Sequence, residues 1–269
     1  MKRLFLTCLV VAAGLTMTSC DFLSEWLESL LEEGLEDTEY VDKWANLVNE
    51  TVQDWSVSGN SLTYGSHTYT IVKDIDPETE EFKTATASVT FTNIPSGLNE
   101  FTTVYENLLG KTVAGAAAMI PMAMEIYARN ASTGRACLEV LCNSSSTVDE
   151  IVRELKQKIV PSEYSPEDDQ YIQRFLPAAL LKGAAPTNAY KPSSPYTVEM
   201  TMSPNGVQNA ELTGGVVTYI YILTSGGWDT YQRGVDIFLP YNKDHYKVFN
   251  CPSCYTQCKH IQGTWAGLK

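Results

Sequence analysis

The chain has 269 residues, 44% of them apolar, and a formal charge of −13. That length serves one large domain or two small ones, and the apolar fraction is ordinary for a globular protein. The acidic balance argues against nucleic acid and anionic lipid surfaces as partners.

The chain opens with Lys2 and Arg3, followed by an apolar run from Leu4 to Leu15. The run is shorter than the roughly 20 residues that a membrane-spanning helix needs, so a cleaved signal over residues 1–19 is expected. It ends in Leu15-Thr16-Met17-Thr18-Ser19-Cys20. A cysteine at the start of the mature chain resembles the lipobox of bacterial lipoproteins. That resemblance implies lipidation at Cys20, with acyl chains (palmitate among them) holding the protein to the outer membrane, on its periplasmic or its cell-surface side. Acyl chains bury in lipid at about 0.8 kcal/mol per CH₂, so several make a firm anchor. Removing Lys2 and Arg3 takes the charge from −13 to −15.

Residues 21–50 hold ten Asp or Glu and a single base, Lys43. Acids soon after a lipid-bearing cysteine resemble the surface-export signals of Bacteroidota lipoproteins; a solvated tether is the alternative. Phe22, Trp26, Leu27, Leu30 and Leu31 form one helical stripe. Tyr40, Val41, Trp44, Leu47, Val48, Val52 and Trp55 form a second. An acidic helical stalk over 20–55 is therefore expected, ahead of a single domain over 56–269.

From Ser56 the period changes to two. Ser61 to Val72 alternates around Tyr64-Gly65-Ser66-His67 and reads as a hairpin. Thr84 to Thr92 reads as a third strand, with Ala85, Ala87, Val89 and Phe91 on one side. Helices are expected over Glu100–Leu109, Thr112–Ala128, Arg135–Cys142, Val148–Ile159 and from Ser165 to Leu181. The apolar run Val113–Met124, with Pro121 inside it, reads as a buried helix. Strands are expected at Tyr196–Met202, Gly215–Leu223, Gly234–Leu239 and Tyr246–Asn250, separated by turn residues such as Ser203-Pro204-Asn205-Gly206. Helices and strands in blocks indicate an α+β fold with a C-terminal antiparallel meander.

Three segments then resemble a bacterial family of unknown function. They are Lys111 to Met119 with Ile126–Asn130 and Gly134–Leu138; Tyr190 to Val198; and Ser225 to Val235. The resemblance covers roughly residues 98–248. It implies one α+β domain and carries no known activity or catalytic residues. The chain departs from the family's pattern at Trp228 and in its cysteine-rich tail.

Two sets of residues are candidates for function. Trp228, Asp229, Tyr231 and Arg233 follow Gly226-Gly227 and combine stacking faces with oriented hydrogen-bonding groups, which suits a sugar or peptide. The alternative is a turn fixed by an Asp229–Arg233 pair. Cys251, Cys254, Cys258 and His260 form C-x₂-C-x₃-C-x-H. Exported thiols tend to oxidise, so a structural disulfide with one spare thiol is the favoured reading, with zinc or redox chemistry as alternatives. Cys137 and Cys142 lie about 140° apart round a helix and suit a mutual bridge poorly.

No H-E-x-x-H, G-x-S-x-G or Walker pattern occurs. No cofactor is implied beyond the possible zinc. The sequence favours a non-catalytic binding or assembly module of the envelope, with a glycan or an envelope protein as partner. The alternatives are an envelope enzyme acting on glycan or peptide, and a metal- or redox-responsive protein.

Overall fold

In a computed structural model, residues 52–76, 85–159, 174–210 and 214–261 are described. The expected signal, Cys20, the expected acidic stalk up to residue 51, and the first part of the helix expected from Ser165 lie outside the described residues.

Eight strands run in chain order across one antiparallel sheet: β1 Trp55–Ser58, β2 Ser61–Tyr64, β3 His67–Lys73, β4 Thr86–Phe91, β5 Tyr196–Ala210, β6 Gly215–Leu223, β7 Gln232–Pro240 and β8 Lys247–Asn250. Four helices intervene between β4 and β5: α1 Leu98–Asn107, α2 Val113–Arg129, α3 Ala131–Leu141 and α4 Ser145–Lys158. The class is α+β. The hairpin section and the C-terminal meander are halves of one sheet, because β4 pairs with β5 from Phe91↔Tyr196 to Thr86↔Thr201.

Period-two patterning sets the inner face. Leu62 pairs with Tyr69, Tyr69 with Phe91, Val89 with Val198, Met200 with Ile222, and Ile220 with Val235. All of these are buried. The third expected strand is present as β4, with Ala87, Val89 and Phe91 buried.

Against this face lies α2, which touches β3, β4, β7 and β8. It is buried on nearly every side, from Val113 to Met124 without a break. A helix apolar all round belongs in a core or a membrane, and here it is the core element. Among the described residues, no helix is long and apolar enough to cross a membrane. The Thr112 hydroxyl accepts from Gly115 N at 3.0 Å, and Asp74 Oδ1 accepts from Ala114 N at 3.0 Å, so the first turn of α2 is capped from two segments. Burial raises the Asp74 carboxyl above the ordinary range, against the lowering effect of its backbone donors.

Asn130 ends α2 and caps α3, accepting from Thr133 N at 3.1 Å. That cap explains why α3 begins at Ala131, earlier than the expected Arg135. In α4, Val148, Ile151 and Leu155 are buried, as their spacing implies.

Three readings are corrected. Trp55 is not the end of a helical stripe; it opens β1 opposite Tyr64 and is 45% exposed. Ser203 to Gly206 is not a turn between strands but a bulge within β5. Met202 pairs with Ile220 and Val207 with Thr218, so five steps on β5 face two on β6. The run ending at Leu181 finishes in turns and a 3-10 turn at Ala178–Leu180 rather than in an α-helix. Pro177 has no N–H to continue an α-helical ladder there.

Candidate functional site

The two candidate sets, far apart in sequence, meet at one corner of the sheet. The loop between β6 and β7 is closed by Thr224 N donating to Tyr231 O at 2.8 Å. The tail after β8 folds back beneath it. Lys259 N donates to Gly227 O at 2.7 Å, and Trp228 Nε1 donates to Thr256 O at 3.3 Å. Ser253 Oγ donates to Gly234 O at 3.0 Å. The β7–β8 hairpin brings the segments together, since β8 returns along β7 from Phe238↔Lys247 to Asp236↔Asn250.

Within this corner the residues of the aromatic set divide. Trp228 is only 7% exposed, and the Arg233 guanidinium lies 4.8 Å from its ring centroid. Arg233 pairs with Ile222 across the sheet and shares the inner face with Val235 and Ile237. Its Nε donates to Gln232 O at 2.8 Å, and a terminal nitrogen bonds the Thr230 hydroxyl. Burial pulls the Arg233 pKa below its usual value, while the nearby Cys254 opposes that shift. Asp229 pairs with Lys259 at 2.9 Å rather than with Arg233. The Lys259 hydrogen bond holds the Asp229 carboxyl below the usual range.

The accessible part of the loop is therefore Asp229 to Gln232, with the Tyr231 ring 65% exposed and Asp229 paired to Lys259. Trp228 and Arg233 form the support under them. Chemically, the corner presents one aromatic face and two opposite charges on a hydrogen-bonded frame.

The cysteine set also divides. Cys137, Cys142, Cys251, Cys254 and Cys258 are all buried, and none is bridged to another. Cys251 caps the 3-10 turn Pro252–Tyr255, with Cys254 N donating to Cys251 O at 2.9 Å. A hydrogen bond to Cys254, followed by burial, pushes the Cys251 thiol well above its usual pKa. Cys258 stands apart from this pair. It hydrogen-bonds Tyr190, whose ring stacks on Phe175 at 4.5 Å, and burial pushes its thiol up to about 12. Cys142, at the end of α3, bridges to Val248 and is also pushed up to about 12 by burial. Among the described residues, no group of three His, Cys, Asp or Glu side chains is placed to hold a metal ion.

A network not anticipated from the sequence sits across the sheet. Glu100, in the first turn of α1, is fully buried. Its Oε1 lies 2.7 Å from His67 Nδ1 and accepts the Tyr69 hydroxyl at 2.7 Å. Its Oε2 accepts Ser96 N and Ser96 Oγ, each at 2.7 Å. Both carboxylate oxygens are occupied, and the network pins the β2–β3 hairpin to α1. A second missed cluster joins β8 to the helices. Lys247 Nζ bonds Val140 O and sits 4.6 Å from the Tyr105 ring centroid, and burial lowers its pKa.

A family model described as a domain of unknown function, DUF6935, matches residues 93–262, more than half of the chain. The chain belongs to this family. Curated proteins and solved structures gave no match. The DUF6935 segment is wider than the span the three motifs suggested. It takes in the four helices, β5 to β8, the Trp228 loop and the cysteine tail, so the whole corner lies inside it. Strands β1 to β4 precede the DUF6935 segment, although they complete its sheet.

Proposed function

We propose that the protein is a lipid-anchored bacterial envelope module that binds or assembles rather than catalyses. The segment ending in Cys20 supports the anchor, and the acids after it fit a Bacteroidota-type lipoprotein of the outer membrane. Residues 1–19 would be removed. The acidic residues that follow would tether the domain, which takes up regular structure from Trp55. The tether leaves the domain facing the periplasm or the cell surface.

The observation that carries the binding reading is the contrast within one loop. Trp228 and Arg233 are packed and hydrogen-bonded, while Tyr231 and Asp229 are exposed and Asp229 pairs with Lys259. An exposed aromatic ring on a backbone held by the Thr224–Tyr231 hydrogen bond suits a glycan or a peptide surface of an envelope protein.

The test is capture of envelope glycan and envelope proteins by the full membrane-extracted chain, compared with the Tyr231→Ala and Asp229→Asn variants. Loss of capture with an unchanged melting temperature is expected. Equal capture by both variants would remove this loop from the proposal. Intact mass of the same material tests the anchor, since a chain beginning at Cys20 must carry added acyl mass.

A further inference from the structure

We propose that Cys251 and Cys254 close a disulfide in the mature protein, leaving Cys137, Cys142 and Cys258 as thiols. The inference rests on the exported location argued above, because disulfides persist in oxidising compartments.

Three observations select this pair. The Cys254 N–H closes an i→i+3 turn on the Cys251 carbonyl at 2.9 Å, within the 3-10 segment Pro252–Tyr255. Cys251 is the N-cap of that segment, so the two cysteines stand at the two ends of a single turn. Both side chains are buried, at 1% and 0% exposure, and they hydrogen-bond each other. The remaining cysteine of the tail is committed elsewhere, since Cys258 bonds the Tyr190 hydroxyl. Cys137 lies inside α3 and Cys142 at its end, and their helical spacing disfavours a mutual bridge.

The chemistry is thiol–disulfide exchange with a donor disulfide, carried by an oxidising dithiol protein or a small-molecule disulfide. The Cys251 thiolate attacks one donor sulfur and expels the other as a thiolate, giving a mixed disulfide. Deprotonated Cys254 then attacks Cys251 Sγ and expels the second donor thiolate. Two protons leave the pair, and the donor gains two electrons. Because both thiols are buried in the fold, exchange takes place while the tail is still open. The closed bond is then sheltered from reductant. Its consequence is mechanical: the turn whose Ser253 hydroxyl bonds Gly234 O is locked to the end of β8.

The experiment uses the full membrane-extracted chain, denatured with iodoacetamide and no reductant, then digested with trypsin. Cleavage after Lys247 and Lys259 releases residues 248–259 with all three tail cysteines. The expected peptide carries a single alkyl group, on Cys258, and lacks two hydrogens. Native protein treated with reductant before denaturation should give the same peptide. Three alkyl groups, an alkyl group on Cys251 or Cys254, or a cross-link to the peptide holding Cys137 and Cys142 would each overturn the pairing. A lipidated chain starting at Cys20 with three alkylated tail cysteines refutes the pairing and leaves the anchor standing. An unprocessed chain retaining Cys8 refutes the export reading itself.

Discussion

The Arg233 guanidinium lies over the Trp228 ring at 4.8 Å, on the helix-facing side of the sheet. A charged head sits on an otherwise apolar face because the β6–β7 loop folds over to receive it. Its hydrogen bonds go to Thr230 and Gln232, and the indole covers its flat surface. This arrangement decides what the loop can do, since it withdraws its largest aromatic from solvent.

Stability should therefore separate the loop residues. Trp228→Ala should cost about 3–5 kcal/mol, as for other buried large aromatics. Arg233→Ala should cost about 2 kcal/mol through its lost hydrogen bonds and indole contact. Tyr231→Ala should stay within about 0.5 kcal/mol, as an exposed substitution. Urea unfolding of the three variants checks the order. A Trp228→Ala protein as stable as Tyr231→Ala would mean that the loop is not packed on the tail.

How much of this was legible in the sequence depends on the distance over which each feature is decided. The β4 alternation Ala87, Val89, Phe91 and the apolar run of α2 are local, and both are present where the pattern places them. Trp55 fits a helical stripe by spacing, yet its partner Tyr64 places it in β1. The residues Ser203-Pro204-Asn205-Gly206 have the chemistry of a turn, but β6 is long enough to pair on both sides of them, which makes them a bulge. The site shows the same limit. Gly226-Gly227 marks a loop correctly but says nothing of what covers Trp228. That is settled by Thr256 and Lys259, some thirty residues on, through the β7–β8 hairpin.

Glu100 shows that limit over a longer separation. Its partners His67 and Tyr69 lie more than thirty residues away, with only Ser96 nearby. Oε2 receives both Ser96 donors, and Oε1 receives the Tyr69 hydroxyl with His67 Nδ1 at 2.7 Å, so Glu100→Gln would turn an amide N–H₂ toward groups placed for an oxygen. The cost should be about 1–3 kcal/mol from the groups left unsatisfied. His67→Ala should cost less, because part of that ring already faces solvent. Chemical denaturation of the two variants tests the ranking. Equal or negligible losses would mean that the network does not hold the hairpin to α1.

The pH dependence follows from Asp74 and Asp236. Burial raises both carboxyls above the ordinary range, partly offset by the Ala114 N–H at Asp74 and by Asn250 at Asp236. A raised native pKa means that the folded state holds its proton more tightly than the unfolded chain. The contribution is fully present below the unfolded pKa and is lost as pH rises through the folded one. The protein should therefore gain stability as pH falls through the raised native pKa values toward the unfolded carboxylate value of about 4. Glu154, Asp229 and Asp244 are shifted downward and oppose this, but Asp229 and Asp244 are exposed and Glu154 sits in a half-buried surface pair, so their weight is small. Urea midpoints across that range should rise on acidification, and the Asp74→Asn, Asp236→Asn double variant should flatten the slope. A midpoint that falls on acidification would show that the surface pairs dominate.

The corner between α2 and α3 offers the sharpest steric test. Gly134 lies so close to α2 that a Cβ there would stand 2.1 Å from Tyr127 Cα and 2.3 Å from its N. These are backbone atoms of the core helix, so relief requires moving α3 rather than turning a side chain. Asn130 resists that movement, because it ends one helix and caps the next. Gly134→Ala should therefore cost at least about 1–3 kcal/mol, the range for overpacked cores, despite Ala's better helix propensity. Gly234 on β7 is the control: a Cβ there meets only Ser253 Oγ at 3.7 Å and the Tyr221 ring at 3.8 Å. Gly234→Ala should fold with near-native stability. Thermal melts of the two variants give the comparison. A tolerated Gly134→Ala would mean that α3 can shift on α2 without loss, and the helical layer would then be less tightly fixed on the sheet than Asn130 and Gly134 imply.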